Sequence, residues 1–227
     1  MKHILFVITS TRTTGTGKHR AGYEFSEVAD PYSEFTKQGY TVDFCSILGG
    51  QPPFVGYDPL KEVSKNFKEG NGFKRLGFSH VLKDVDIDAY DAIFFPGGLG
   101  LMTDMTDNPL IKEIIKTVYE DGRVVGAVCH GPAALLNVVL SNGKNLLEGK
   151  RVNSFTEAEE KIDKHALGDV IPFMLDAALK KQGAQFSHTT PFKAFVVADG
   201  NLVTGQNPAS ASGVALKMID LLKEKVG

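Results

Sequence analysis

Cys129 and His130 are adjacent; the apolar run Val124-Val125-Gly126-Ala127-Val128 precedes them and Gly131-Pro132-Ala133-Ala134-Leu135-Leu136 follows. A buried strand running into a small-residue turn and then a helix places its corner residue at a nucleophile elbow, where a side chain is presented out of the sheet. A thiol attacks as its thiolate, a form favoured by a following helix N-terminus and by a neighbouring cation such as His130. The pattern predicts a reactive cysteine. The plain alternative is one more small buried residue, the usual fate of a lone cysteine.

Phe94-Phe95-Pro96-Gly97-Gly98-Leu99-Gly100 is a second strand ending in a glycine-rich turn. Neighbouring parallel strands share the cleft at their C-terminal ends, and glycines there let backbone N–H groups point into it as an oxyanion hole requires. By residue type alone, Glu27 reads as an exposed charge on a first helix, and Glu157, Glu159 and Glu160 as a solvated helix start. His3, His19, His80 and His165 stand beside charged or polar residues and are expected at the surface.

The scaffold for these residues is legible in the apolar pattern. Runs at Ile4 to Ile8, Tyr40 to Phe44, Ala92 to Phe95 and Val124 to Val128 lack strict alternation, as central strands covered on both faces do. Helical patterns separate them, so a parallel α/β sheet is expected. A first helical segment lies around Tyr23 to Phe35. Asn108-Pro109 starts another, with Ile111, Ile114, Ile115 and Val118 on one face and Asp121-Gly122 at its end. Asn207-Pro208 repeats the start signal ahead of Val214, Met218, Leu221 and Leu222; a third helix is expected from about Phe173, past Leu175 and Leu179, to Gly183. Asp199-Gly200-Asn201, between Phe195 and Thr204, reads as the turn of a small antiparallel hairpin. Ser46 to Asp91, with Pro52-Pro53 and Asp58-Pro59, is too long for a simple crossover and reads as an insertion or cap. Such a segment either shapes an active site or decorates the surface.

The chain has 227 residues, 42% of them hydrophobic and 23% charged, enough for a full core and consistent with one α/β domain over 1–227. Its net charge of -2 gives no basic footprint for nucleic acid or an anionic membrane, so a small-molecule or protein partner is expected. Ile4 to Ile8 is too short to span a membrane and lacks a signal-peptide cleavage pattern. Cys45 and Cys129 cannot make a disulfide framework, and the cytoplasm is the expected compartment. With no CxxC or HExxH spacing, neither a metal nor a cofactor is expected.

Taken in order, several motifs resemble the ThiJ/PfpI superfamily, whose fold is related to class I glutamine amidotransferases. They are Ile8-Thr9-Ser10, Gly22, Glu27-Val28-Ala29-Asp30-Pro31, Pro96-Gly97-Gly98, Cys129-His130-Gly131-Pro132, Phe155-Thr156-Glu157-Ala158-Glu159-Glu160, Ile171-Pro172-Phe173 and Leu202 to Ser210. The chain looks closest to the branch of glutathione-independent glyoxalases (glyoxalase III) and stress-response holding chaperones. That resemblance implies a flavodoxin-like, doubly wound, mostly parallel sheet with helices on both faces. It implies a Cys-His-Glu triad of Cys129, His130 and Glu160, with Glu159 as the alternative acid should the alignment slip by one. Glu27 matches a carboxylate that hydrogen-bonds the sulfur, and the backbone N–H groups of Gly98 and His130 match an oxyanion hole. The implied substrate is a small reactive aldehyde such as methylglyoxal, and the implied assembly a homodimer. Readings that stay open are a holding chaperone, a cysteine redox sensor, and a cysteine amidase, peptidase or deglycase. Two departures stand out. The late histidine stands in His188-Thr189-Thr190 rather than in a His-x-Glu pair, against glutaminase chemistry, and Leu99 occupies a pocket position where the branch commonly has histidine.

Overall fold

Strands that are apolar at every position must be covered on both faces. The computed structural model, which describes residues 1–15 and 17–224, shows how this is done. In chain order the strands are β1 (His3–Ile8), β2 (Tyr23–Glu24), β3 (Thr41–Ser46), β4 (Phe54–Val55), β5 (His80–Val81), β6 (Ala92–Phe95), β7 (Val124–Val128), β8 (Arg151–Val152), β9 (Gln185–Phe186), β10 (Val196–Asp199) and β11 (Leu202–Gly205). The α-helices are α1 (Phe25–Lys37), α2 (Glu62–Glu69), α3 (Asn71–Leu76), α4 (Leu101–Asp104), α5 (Pro109–Glu120), α6 (Glu157–Ile162), α7 (Leu175–Lys181) and α8 (Ala211–Glu224).

The central sheet has seven strands in the order β10-β11-β7-β6-β1-β3-β5, and every pair is parallel except β10 with β11. Side chains alternate across it. Leu5, Val7, Ile93, Phe95, Val125 and Ala127 face α5 through Ile111, Ile115 and Val118. Ile4, Phe6, Ile8, Phe94, Val124 and Val128 face α1 and α8 through Val28, Val214 and Met218. Each large side chain buried in this way contributes about 1.5–3 kcal/mol. The Asn108 Oδ1 accepts from Leu110 N at 3.0 Å and Ile111 N at 3.4 Å, so the start of α5 is capped as its sequence requires.

From β1 the chain moves out to β3 and β5 on one side and then returns to β6 on the other. That reversal leaves a crevice at the C-terminal ends of β1 and β6, where ligands of open α/β sheets bind. Both glycine-rich and cysteine-bearing turns open there.

The expected hairpin forms: its antiparallel strands are the edge pair of the central sheet, and β11 runs parallel to β7 from Leu202↔Val125 to Gly205↔Val128. Other expectations are corrected. The segment after Cys129 is a five-residue 3-10 turn, Gly131–Leu135, not an α-helix. The third helix starts only at Leu175, while its end is as expected, with Gly183 at φ 90 closing it after Lys181. In α8 the fully buried face uses Ile219 beside Val214, Met218 and Leu222, while Leu221 is half-buried. The insertion from Ser46 to Asp91 does two things: β5 pairs with β3 at the sheet edge, and β4 pairs with β2 in the register Glu24↔Val55. Phe25 locks it down against Tyr57 and Phe54, with ring centroids 4.8 and 5.2 Å away. Among the described residues no helix is long and apolar enough to cross a membrane.

Candidate active site

Cys129 adopts φ 60, the left-handed region, which costs a non-glycine residue about 1–3 kcal/mol unless its surroundings fix it. They do. Its N–H donates to the Gly205 carbonyl at 2.9 Å, and its own carbonyl accepts from Phe155 N at 2.9 Å. The side chain is thereby turned out of β7 into a buried position beside the Pro96-Gly97-Gly98 turn.

Gly97 separates Cys129 from Glu27. A Cβ at position 97 would collide with the Glu27 Oε2 and approach the Cys129 Cβ to 2.6 Å, so only glycine lets the carboxyl and the thiol meet. Gly98 has φ 111, which an L side chain rarely adopts. Glu27 is fully buried. Its Oε2 accepts from Gly97 N, Oε1 has no hydrogen-bond partner among the described residues, and the carboxyl interacts with the Cys129 thiol. Burial pushes the Glu27 carboxyl well above the usual carboxylate range, and the nearby Glu24 adds to this. Burial also pushes the Cys129 thiol up, with Glu27 as the next contributor. This corrects the expectation of a thiol activated by a helix N-terminus: a 3-10 turn follows Cys129, and burial opposes the charge.

On the other side, His130 Nδ1 is 3.4 Å from Cys129 Sγ, and Nε2 is 2.8 Å from Glu160 Oε1. The ring rests on Phe155, with centroids 4.8 Å apart. With Glu160 ionised, Nε2 donates to it and Nδ1 faces the sulfur.

The local fold gives the two glutamates different partners. Thr156-Glu157-Ala158-Glu159 is a capping box: Thr156 Oγ1 accepts from Glu159 N at 3.2 Å and Thr156 N donates to Glu159 Oε2 at 3.0 Å. Glu159 is committed there, and its Oε1 accepts from Phe192 N, Gln206 and Asn207. Glu160, one residue on, turns to His130. The reading of these two as a solvated helix start is therefore corrected: both are buried, and only Glu157 is exposed.

His165, expected at the surface, is a further correction. The chain turns after α6 so that His165 N donates to the Glu160 carbonyl at 2.9 Å and its Nδ1 lies 2.6 Å from Glu160 Oε2. Burial alone would raise the Glu160 carboxyl, but hydrogen bonds from His130 and His165 outweigh it and bring the pKa to about 2. The same hydrogen bond raises His165. The ligand-type atoms of His130, Glu160 and His165 lie within 4.8 Å of one another, a set able to hold a divalent ion only by breaking the His130–Glu160 bond. No sequence spacing announces this group, since its members lie on separate turns.

These residues open on a cavity of about 200 Å³. Cys129, His130, Gly98 and Leu99 form its floor, Phe155, Asp163, His165 and Pro208 one wall, and Glu24 with Val55 the other. Among the described residues no carbonyl accepts from Gly98 N or His130 N. Glu27 does not line the cavity; it lies behind Gly97. His188 is exposed and lies outside it. Sequence reasoning missed Glu24, Val55, Asp163 and His165. Glu24 carried one visible signal, a second glutamate three residues before Glu27.

The fold and the cysteine elbow define the class: the pattern of the DJ-1/PfpI family matches residues 19–221, and the chain belongs to that family. Among individual relatives it is 32% identical over 220 residues to the glutathione-independent glyoxalase HSP31 of Saccharomyces cerevisiae, covering 90% of each chain. The crystal structure of glyoxalase III from Candida albicans superposes with a TM-score of 0.86 at 29% identity, covering 97% of both chains. The Rapid Encystment Protein 24 KDa of Francisella tularensis superposes with a TM-score of 0.90 at 36% identity, covering 98% of this chain and 99% of that one.

Proposed function

We propose that this protein is a glutathione-independent glyoxalase of the glyoxalase III type, a lyase that converts methylglyoxal or glyoxal and water to a 2-hydroxy acid. The observation that carries this reading is the run Glu27, Cys129, His130, Glu160, which opens on a small cavity holding the sulfur and two free backbone donors.

In this scheme the thiol proton passes to His130 Nδ1, and Glu160, ionised at any ordinary pH, fixes the ring through Nε2. The sulfur adds to the aldehyde carbon, and the oxygen takes a proton to give a hemithioacetal, with the Gly98 and His130 N–H groups directed at it. His130 removes the remaining hydrogen of that carbon as a proton while the ketone oxygen gains one, giving an enediol. Return of a proton to the second carbon, with loss of the first hydroxyl proton, leaves the thioester of the hydroxy acid. Water hydrolyses it and restores the thiol. Electrons move only within the substrate, so no redox partner is needed. Glu27, screened from the substrate by Gly97, acts on the sulfur: its protonated carboxyl donates to the thiolate each time it forms.

The test is hydroxy-acid formation from methylglyoxal by purified protein without glutathione. Turnover by wild type and none by Cys129→Ala is expected; full turnover by Cys129→Ala overturns the reading. The homodimer implied by the family is tested by light scattering at micromolar concentration, where a monomer contradicts it.

A second reading, a holding chaperone, is favoured by Leu48, Leu60 and Phe78, exposed apolar side chains that all lie in the insertion. Suppression of client aggregation by wild type and Cys129→Ala alike supports it; loss of suppression in a Leu60→Ser, Phe78→Ser variant assigns it to this surface.

A further inference from the structure

We propose that Glu24 sets the charge selectivity of the cavity: its carboxylate keeps carboxylate-bearing electrophiles away from Cys129 and leaves the site to uncharged ones. Glu24 is held in place by backbone pairing rather than by a flexible loop. It pairs with Val55 in the β2–β4 ribbon, and its N–H donates to the Gly97 carbonyl at 3.0 Å. The side chain lies over Gly56, where a Cβ would collide with both carboxylate oxygens. The insertion thus leaves a slot at Gly56 for an acid on the cavity wall.

No permanent cation in the cavity lining offsets that charge. Among the described residues the lining contains no lysine or arginine, and Leu99 leaves the floor beside Cys129 without a cation. The nearby lysine, Lys61, is 2.6 Å from Asp30 Oδ2 and already paired. His130 and His165 both face the Glu160 carboxylate. Asp163, on the same wall as His165, adds a second acid. Glu27 lies behind Gly97 with its carboxyl pushed up by burial. Burial also raises Glu24 to about 7, with hydrogen bonds from Ser26 and the charge of Lys61 pulling against it. Rejection of anions therefore strengthens as pH rises through about 7 and Glu24 ionises. Under the glyoxalase reading, on which this consequence rests, the substrates are neutral 2-oxoaldehydes and those ending in a carboxylate are refused.

The test uses two alkylating reagents of nearly equal size, neutral iodoacetamide and anionic iodoacetate, reacting with Cys129 in the full chain below and above pH 7. Both report the same thiolate, so the ratio of their rates isolates the local charge. The wild-type ratio is expected to rise about fivefold in favour of iodoacetamide across that pH interval, the effect of one nearby charge in a partly buried site. Glu24→Gln is expected to flatten this rise, and Glu24→Asp, which keeps the charge, to retain it. An equal rise in wild type and Glu24→Gln assigns the effect to His165 losing its proton and overturns the proposal. Because alkylation needs no turnover, these outcomes stand even if the protein forms no hydroxy acid. Where it does, Glu24→Gln is expected to narrow the kcat/KM preference for 2-oxohexanal over 4,5-dioxopentanoate by a similar factor.

Discussion

Two buried glutamates flank one cysteine, and their surroundings drive them in opposite directions. Behind Gly97, Glu27 accepts from one backbone N–H, too little to offset its burial, so it is raised and keeps its proton. Across the sulfur, Glu160 is just as buried but is held by two imidazoles, and it falls to about 2. The residue type is the same on both sides; the number of donors facing each carboxyl decides which one keeps its proton and which one gives it up. The elements supplying those donors differ too. Gly97, in the turn after β6, supplies the donor to Glu27, whereas His130 in the turn after β7 and His165 in the turn after α6 supply those to Glu160.

The comparison breaks most completely if the sulfur between them is dispensable. Cys129→Ala is expected to reduce methylglyoxal turnover by about 10⁴-fold or more, measured as hydroxy-acid formation. Next, Glu160→Gln removes the charge that both imidazoles face, and turnover is expected to fall by about 10²–10³-fold. Glu27→Gln replaces a carboxyl that is already neutral in the fold, so the folded structure is retained while turnover falls by about 10²-fold through loss of the proton on the sulfur. Equal effects of the two glutamine variants on stability would erase the difference between the two carboxyls.

Acid and base titrations sharpen it. A carboxyl lowered from 4.5 to about 2 stabilises the fold above 4.5, and that contribution disappears as pH falls from about 5 to about 2. For Glu160 it is about 3 kcal/mol, read from chemical denaturation of wild type against Glu160→Gln. Glu27 has the opposite sign: its raised pKa favours the fold below 4.5 and costs stability as pH climbs above that value. Glu27→Gln is expected to flatten the alkaline limb and leave the acid limb alone. The smallest effect belongs to His165→Gln, which leaves Glu160 one imidazole. Turnover is expected to drop about fivefold, with the acid limb of the stability curve shifting upward in pH.

Part of this site is legible in the order of residues alone. Ala92–Phe95 and Val124–Val128 are strands with the bounds their apolar runs give, because proline, glycine or a polar turn closes each of them. The capping box at Thr156 and Glu159 is present in the sequence as T-x-x-E, and it is what frees Glu160 for His130; read for its mechanics, it separates the two glutamates. Glu24, beyond its spacing to Glu27, and His165 are not legible. A surface histidine and a cavity histidine look alike when the deciding contact depends on how the chain turns after α6. Likewise Glu24 reaches the cavity only because β4, from the insertion, pairs with β2. The hairpin turn is local and readable, whereas the choice of β7 as neighbour for β11 is made by tertiary packing. The 3-10 turn after Cys129 escapes a sequence reading because Gly131-Pro132-Ala133 suits the start of either kind of helix.

The cavity of about 200 Å³ also has a stoichiometry. Water takes about 30 Å³ per molecule in the bulk liquid, so a three-carbon aldehyde occupies only part of this space. Under the proposed mechanism, an acyl group on Cys129 leaves room beside it for the water that hydrolyses the thioester.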